Sequence, residues 1–239
     1  MLRQLFGKVP PVYRAINRLR SYRLHEPQIH IDYAFLGSWY GGWTIPVGAL
    51  TRTSIVYSFG LGEDVSFDLA LIERFGCVVH AFDPTPVAVG WLQTQSLPPQ
   101  FVHHRVGLAE RDGDMQFFAP GDSHSFSREP ASAATTESVS CPVRRLSSIM
   151  SQLGHDHIDL LKMDIEGFEY GVIDDLLESG IRPSIIDIEY HHKSFGIPKE
   201  RTEASVSKLK AAGYKVYWVS DLGREYGLVL DGAARPAVS

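Results

Sequence analysis

Apolar runs of strand length alternate with amphipathic stretches over most of the chain. The runs rich in β-branched and aromatic residues predict seven strands, over residues 54–59, 77–82, 101–106, 158–163, 185–190, 214–219 and 226–230. The amphipathic stretches predict helices over residues 65–74, 166–179 and 200–212, and a further helix that Pro84 and Pro86 open. Because strands alternate with helices, we expect a largely parallel sheet with both faces covered.

The last two predicted strands are joined by a much shorter connection than the others. Residues 220–225 contain Gly223, and a link of that length joins antiparallel neighbours. The sequence therefore predicts the α/β class: a doubly wound, mostly parallel seven-stranded sheet that is Rossmann-like and ends in a C-terminal antiparallel hairpin.

Two segments interrupt this alternation. Asp112-Gly113 predicts a tight turn, with residues 115–118 as the return strand. Residues 120–140 are rich in Ser, Thr and Ala and also contain Gly and Pro, which is typical either of a mobile loop or lid or of a surface insertion without function.

The main domain is expected over residues 51–239, and residues 1–50 should form an arm and a helical and aromatic segment that packs on it. Residues 1–24 mix Lys and Arg with apolar residues and contain no acid. They could form an arm that touches anionic lipid, or a short packed helix or frayed terminus. The aromatic and glycine-rich residues 36–43 could stack on a sugar or adenine, or pack against the first helix.

Charge and composition narrow the range of partners. A net charge of −5 and a pI of about 6.0 provide no basic surface for polymeric nucleic acid, so a small-molecule or glycan partner fits better. No apolar run approaches the roughly 20 residues that span a bilayer, and no signal-peptide core is visible, which predicts a cytoplasmic protein without a transmembrane segment. Cys77 and Cys141 should be free thiols.

The carboxyl ends of the first two strands indicate an adenosine-containing cofactor. Gly60 and Gly62 form a strand-to-helix turn in which the backbone can approach a ligand closely. Asp83 follows the second strand, where a carboxylate can accept hydrogen bonds from ribose hydroxyls.

The charge of the glycine turn favours one cofactor over another. Glu63 and Asp64 would repel a pyrophosphate but attract the cationic groups of S-adenosylmethionine, so this methyl donor is preferred to NAD. Gly107, after the third strand, is expected to contact the same cofactor.

Ionisable residues crowd the ends of two later strands, which should be neighbours in the sheet. Asp164 follows the fourth strand and is expected to line the crevice and contact the cofactor, while Glu189 and His191 end the fifth. We interpret His191 as the preferred base and Glu189 as its alternative. Glu169, at the start of a helix, is interpreted mainly as a cap. A divalent cation held by Asp164, Glu189 and His191 together with Glu166 is possible but not favoured.

A known family shares the motif at the fourth strand. The chain reads IDLLKMDIEGFEY over residues 158–170 and IEYH over residues 188–191, and over roughly residues 54–230 it resembles the FkbM-type S-adenosylmethionine-dependent methyltransferases. The resemblance implies a class I methyltransferase fold, with Gly60, Gly62 and Asp83 at the donor. It also implies an acceptor hydroxyl on a sugar, glycan or natural product.

Within that family the glycine turn has an acid before it and an asparagine inside it. This chain has Ser58 and Gly62 at those positions, and Glu63 or Asp64 could compensate. The hypothesis is therefore methyl transfer to oxygen, with a nicotinamide-dependent oxidoreductase and a non-catalytic binding module as alternatives.

Overall fold

The computed structural model describes residues 24–118, 138–192, 194 and 196–232. The basic arm over residues 1–24 and the loop over residues 120–140 lie almost wholly outside these ranges, so their roles stay predictions. Within the described ranges, no helix is both long enough and apolar enough to cross a membrane.

The described residues form strands and helices in alternation. The strands are β1 (Tyr33–Leu36), β2 (Trp43–Pro46), β3 (Ile55–Phe59), β4 (Val78–Phe82), β5 (Phe101–His104), β6 (Gly107–Leu108), β7 (Gly113–Phe118), β8 (Ser138–Arg144), β9 (Leu160–Met163), β10 (Ile185–Glu189), β11 (Tyr214–Val219) and β12 (Glu225–Leu230). The helices are α1 (Ser66–Phe75), α2 (Pro86–Leu92), α3 (Leu146–Leu153), α4 (Glu169–Glu178) and α5 (Lys199–Ala211).

Seven of these strands form the central sheet, in the order β11-β12-β10-β9-β3-β4-β5. The strands from β10 to β5 are parallel, whereas β12 lies antiparallel between β10 and β11. The predicted mostly parallel sheet with its C-terminal antiparallel hairpin is thereby confirmed. The strand order reverses between β3 and β9, which opens a crevice for ligands at their carboxyl ends.

Both faces of the central sheet are buried, so its strands read as continuous apolar runs. In β9, Leu160 packs in the cluster that contains Leu71 of α1, while Leu161 packs in the opposite cluster with Ile173 of α4. Lys162 breaks this apolar pattern, because it is a charged residue on the α1 face and yet is only 6% exposed.

The chain between residues 33 and 46 forms an antiparallel hairpin of β1 and β2 that the sequence pattern did not predict. The sequence predicts a helical and aromatic segment here and gives no strand pattern, because the two strands are short and joined by glycine and aromatic residues. The loop of the hairpin does pack on the start of α1. The backbone N–H of Ser38 donates to Ser66 Oγ over 2.6 Å, and its hydroxyl donates to Asp64 over 2.5 Å.

The strand predicted after Asp112-Gly113 exists as β7, but its expected pairing is wrong. It lies antiparallel to β8 in a separate three-stranded sheet, where β6 also pairs with β8. Since β8 follows β7 only after residues 119–137, a local pattern could not reveal this partner. Cys141 in β8 and Cys77 are both buried free thiols, as predicted.

The helix predicted from residue 166 starts later than expected. Glu166 has φ +51° and Gly167 has φ +104°, so a left-handed turn separates β9 from α4. Glu166 therefore lies in this turn, and Glu169 is the first residue of the helix.

Candidate functional site

The carboxyl ends of β3, β4, β9 and β10 open into one cavity of about 1090 Å³. The cavity is lined by all of the residues predicted to bind the cofactor or to act in catalysis, namely Gly60, Gly62, Glu63, Asp64, Asp83, Gly107, Asp164, Glu189 and His191. The β1–β2 hairpin and the loop before β12 contribute further walls. Segments far apart in sequence thus meet at the sheet edge where the strand order reverses.

The glycine turn after β3 is held against the end of β9. Gly60 has φ +78°, and a Cβ built there would lie 1.6 Å from the carbonyl oxygen of Asp164. No side chain fits between these two backbones, so the close approach itself requires glycine. Gly62 also has a positive φ, of +53°, but a Cβ there would meet open space.

Asp83 braces this turn from the neighbouring strand. Its Oδ2 accepts hydrogen bonds from the backbone N–H groups of Leu61 (2.9 Å) and Gly62 (3.1 Å). Its Oδ1 accepts from the N–H (2.9 Å) and the hydroxyl (2.6 Å) of Thr85, the residue that caps α2. These four bonds occupy the acceptor sites that a carboxylate offers. The carboxylate expected to meet ribose thus accepts hydrogen bonds from three backbone N–H groups and one hydroxyl of the protein itself.

The other predicted cofactor residues lie around the same turn. Asp64 accepts hydrogen bonds from Ser38 Oγ and from the backbone N–H of Ser66, 2.8 Å away. Burial alone would raise the pKa of Asp64, but these hydrogen bonds outweigh it and lower that pKa. Glu63 is exposed at the cavity, and Gly107 is buried in its wall.

A histidine and a carboxylate form a buried pair at the end of β10. His191 Nδ1 lies 2.7 Å from Glu169 Oε1, and Glu169 is fully buried. Both carboxylate oxygens of Glu169 also accept from the N–H of Gly167, at 3.1 and 3.0 Å. Glu169, interpreted from sequence mainly as a cap, is therefore the residue that orients His191.

The other ring nitrogen of His191 faces three acidic side chains. Its Nε2 lies 3.2 Å from Glu166, 3.7 Å from Asp164 and 4.0 Å from Glu189. Burial by itself would lower the pKa of His191, but the carboxylate of Glu169, followed by two acids on the Nε2 side, outweighs it and raises that pKa to about 10. The imidazole is therefore protonated at neutral pH.

Glu189 is an acid of this cluster with a raised pKa. Burial, followed by repulsion from Asp164, raises its pKa to about 8, although His191 and Arg224 act in the opposite direction. The guanidinium of Arg224 is 3.5 Å from Glu189. A carboxyl with this pKa titrates in the range where enzymes use general bases.

Three of these side chains are also close enough to share a cation. Asp164, Glu166 and His191 offer ligand atoms that all lie within 4.8 Å of one another. Such a nitrogen and oxygen set could accept a divalent metal. A protonated His191 would place a positive charge between the same acids, so the structure leaves the sequence-based preference against a metal as a prediction.

Aromatic side chains from the first hairpin stand at the mouth of the cavity. Trp39 is 63% exposed, Tyr40 76% and Phe35 49%, and all three line the cavity. Their loop packs on α1 through Ser38, so the two roles considered for residues 36–43 do not exclude each other.

In the central sheet the antiparallel strand β12 is inserted between β10 and β11, and a ligand crevice lies beside the glycine turn. These two features define the class I, Rossmann-like methyltransferases. Within that class, the chain belongs to the FkbM family, because the family model described as "Methyltransferase FkbM domain" matches residues 55–216. This membership gives no support to the nicotinamide-dependent alternative.

Individual relatives share at most about a third of their residues with the aligned part of this chain. "Probable methyltransferase-like protein 24" of Rattus norvegicus is 30% identical over 162 residues, which cover 66% of this chain but only 39% of that protein. The methyltransferase FkbM structure from Methylobacillus flagellatus superposes with a TM-score of 0.46 and 15% identity, over 75% of this chain and 44% of its own. Aeropyrum pernix fibrillarin with natively bound S-adenosyl-L-methionine has a TM-score of 0.41 and 12% identity, over 77% of this chain and 68% of its own.

Proposed function

We propose that the protein transfers the methyl group of S-adenosylmethionine to a hydroxyl of a sugar, glycan or other natural product. The observation that carries this proposal is the Glu189 carboxyl, which lies in the same cavity as the glycine turn and has a pKa raised by burial to about 8. A group of that pKa can accept a hydroxyl proton near neutral pH. Membership of the FkbM family supports methyl transfer as the reaction type.

The residues around the glycine turn fit this donor. Gly60 lets the turn pack against the end of β9, and the exposed Glu63 and the Asp164 side chain provide negative charge for a sulfonium and an amino group. Asp83 acts on the donor indirectly in this proposal, because its hydrogen bonds fix the turn against which the nucleoside lies. Bound S-adenosylmethionine supplies the methyl group and leaves as S-adenosylhomocysteine.

Glu189, rather than His191, is the base in this proposal. As the acceptor oxygen bonds to the methyl carbon, the hydroxyl proton passes to the Glu189 carboxylate. His191 keeps its own proton because its pKa is raised to about 10, so it acts as a fixed cation that balances the surrounding acids. Glu169 holds the imidazole ring in place through the 2.7 Å contact with Nδ1. This replaces the sequence-based preference for His191.

The exposed aromatic residues at the cavity mouth favour a ring-shaped acceptor. Trp39 and Tyr40 offer flat apolar faces on which a sugar or other natural-product ring can stack. Such an acceptor needs no positive charge on the protein, which agrees with a net charge of −5.

The test is methyl transfer from labelled S-adenosylmethionine to separate panels of hydroxylated saccharides, hydroxylated natural products and primary amines, with Mg²⁺ or with EDTA. We expect label only on hydroxyl acceptors, at rates that EDTA does not change. Transfer to amines alone would contradict oxygen methylation, and loss of activity in EDTA would replace the fixed His191 cation with a metal. Donor binding without transfer to any acceptor would favour the non-catalytic alternative.

A further inference from the structure

The buried lysine of β9 is a charged group that the proposed chemistry does not use. Lys162 is only 6% exposed, yet it lines the cavity. In the sheet it is in register with Ser58 of β3 and Asp187 of β10, both fully buried. Three buried polar residues thus lie side by side on neighbouring strands, on the α1 face of the sheet and directly below the glycine turn.

The ammonium group of Lys162 has two hydrogen-bond partners among the described residues. Its Nζ donates to the carbonyl oxygens of Phe59 (3.1 Å) and Gly60 (2.5 Å), at the end of β3. An ammonium group has three N–H donors, so one remains for a ligand in the cavity. The ring of Trp43 lies 5.6 Å from Nζ and covers another side of the group.

The positive charge of Lys162 has no close ionic partner. In the described part of the chain, no carboxylate oxygen forms an ion pair with Nζ within 4.0 Å. Burial raises the pKa of both Asp68 and Asp187, the buried acids on this face, which disfavours their charged forms. The charge of Lys162 contributes to the lowered pKa of Asp64, but that carboxylate bonds to Ser38 and Ser66 and forms no ion pair with Nζ. A buried cation is costly unless an anion compensates for it, so this place in the cavity is suited to an anionic ligand group.

We propose that Lys162 binds the α-carboxylate of the amino-acid portion of the donor through its third N–H, and so selects donors that carry this carboxylate. The inference rests on the proposed donor, and it assigns the amino-acid portion to the end of β3. The same lysine bonds to the Gly60 carbonyl, so one side chain holds both the turn and the carboxylate of the ligand.

Calorimetric titration with two ligands tests this proposal. S-adenosylhomocysteine carries the carboxylate, and its decarboxylated analogue, which ends in the same amine, does not. We expect the wild-type protein to bind the analogue about 10- to 100-fold more weakly, the range for a charge-assisted hydrogen bond. The Lys162→Met variant should lose affinity for S-adenosylhomocysteine by a similar factor and keep its affinity for the analogue.

Lys208→Met is the matched control, because it removes an exposed lysine that pairs with Asp174 and should change neither affinity. An equal loss of both ligands in Lys162→Met would overturn the proposal and leave Lys162 as a brace of the turn. If that variant does not fold, the wild-type protein still decides, because equal affinity for the two ligands contradicts a carboxylate contact. Failure of the wild-type protein to bind either ligand would instead contradict the proposed donor.

Discussion

The two halves of the cavity differ in how completely their polar groups are satisfied. At the glycine turn, the carboxylate of Asp83 accepts four hydrogen bonds from the protein. At the ends of β9 and β10, several acids surround one imidazole, and the Oδ1 of Asp164 is buried with no hydrogen-bond partner among the described residues. The hydrogen bonds of Asp83 therefore fix the conformation of the first region. In the second region the pKa values of Glu189 and His191 are raised, and perturbed pKa values are typical of catalytic sites.

The largest effect should come from neutralising the acid with the raised pKa. Glu189→Gln keeps the size of the side chain but cannot accept a proton, so we expect kcat to fall about 100- to 10,000-fold. Affinity for S-adenosylhomocysteine should change little, because the glycine turn is untouched. Steady-state kinetics with calorimetry measure both, and a variant that retains full kcat would remove Glu189 from the mechanism.

Lowering the pH should reduce the activity of the wild-type protein, because it protonates Glu189. With a pKa raised to about 8, Glu189 carries a proton below that pH and loses it above. We therefore expect kcat/KM for the donor to fall by about 50-fold from pH 8 to pH 6 and to level off above about pH 9. The Glu189→Gln variant should lack this rise. An unchanged rise in the variant would assign the titration to another group.

Disrupting the fixed half should affect stability and donor binding together. In Gly60→Ala the new Cβ meets the Asp164 carbonyl, so we expect the free energy of unfolding to fall by about 3 kcal/mol. Donor binding should weaken by a similar amount. Gly62→Ala is the matched control, since its Cβ has open space and only the positive φ is strained, at a cost of about 1 kcal/mol. Urea denaturation of both variants measures the difference, and equal losses would contradict the close approach.

Asp83→Asn should weaken this half more gently. The amide has one acceptor oxygen in place of two, so the bonds to the turn and to Thr85 cannot all survive. We expect a loss of about 1 to 3 kcal/mol in stability, with weaker donor binding. Unchanged unfolding together with lost donor binding would instead indicate direct contact between Asp83 and ribose.

The smallest effect concerns a histidine cluster away from the cavity. His80 Nδ1 lies 3.1 Å from His104 Nε2, and burial, followed by the charges of His104 and His155, lowers the pKa of His80 to about 4. In the unfolded chain that pKa is about 6.5, so stability is present above that pH and falls as the pH drops toward 4. Between pH 7 and 5 the half-buried ring should account for a loss of about 1 kcal/mol, which His80→Gln should not show in urea denaturation.

The difference between the two halves also marks how far the sequence could predict the site. Gly60 and Asp83 follow largely apolar runs of strand length, so their place at the cavity could be derived from strand order alone. The partnership of Glu169 with His191 could not, because it depends on a left-handed turn at Glu166 and on the register between β9 and β10. The protonation of His191 follows from that partnership and was hidden for the same reason.

Lys162 shows a signal that sequence reading could have used more fully. A lysine inside a four-residue buried strand breaks the apolar pattern, and its alternation with Leu161 assigns it to the α1 face. The hairpin of β1 and β2, by contrast, offered too short a pattern to be found. The cytoplasmic location, the lipid-contacting arm and the role of residues 120–140 stay predictions.

Calorimetric titration of the protein with S-adenosylhomocysteine and, separately, with NAD tests the proposed donor site most directly. We expect micromolar binding of S-adenosylhomocysteine that survives in Glu189→Gln and is weakened in Gly60→Ala, with no binding of NAD. Binding of NAD alone, or affinity for S-adenosylhomocysteine that depends on Glu189 and not on Gly60, would contradict the proposed donor site.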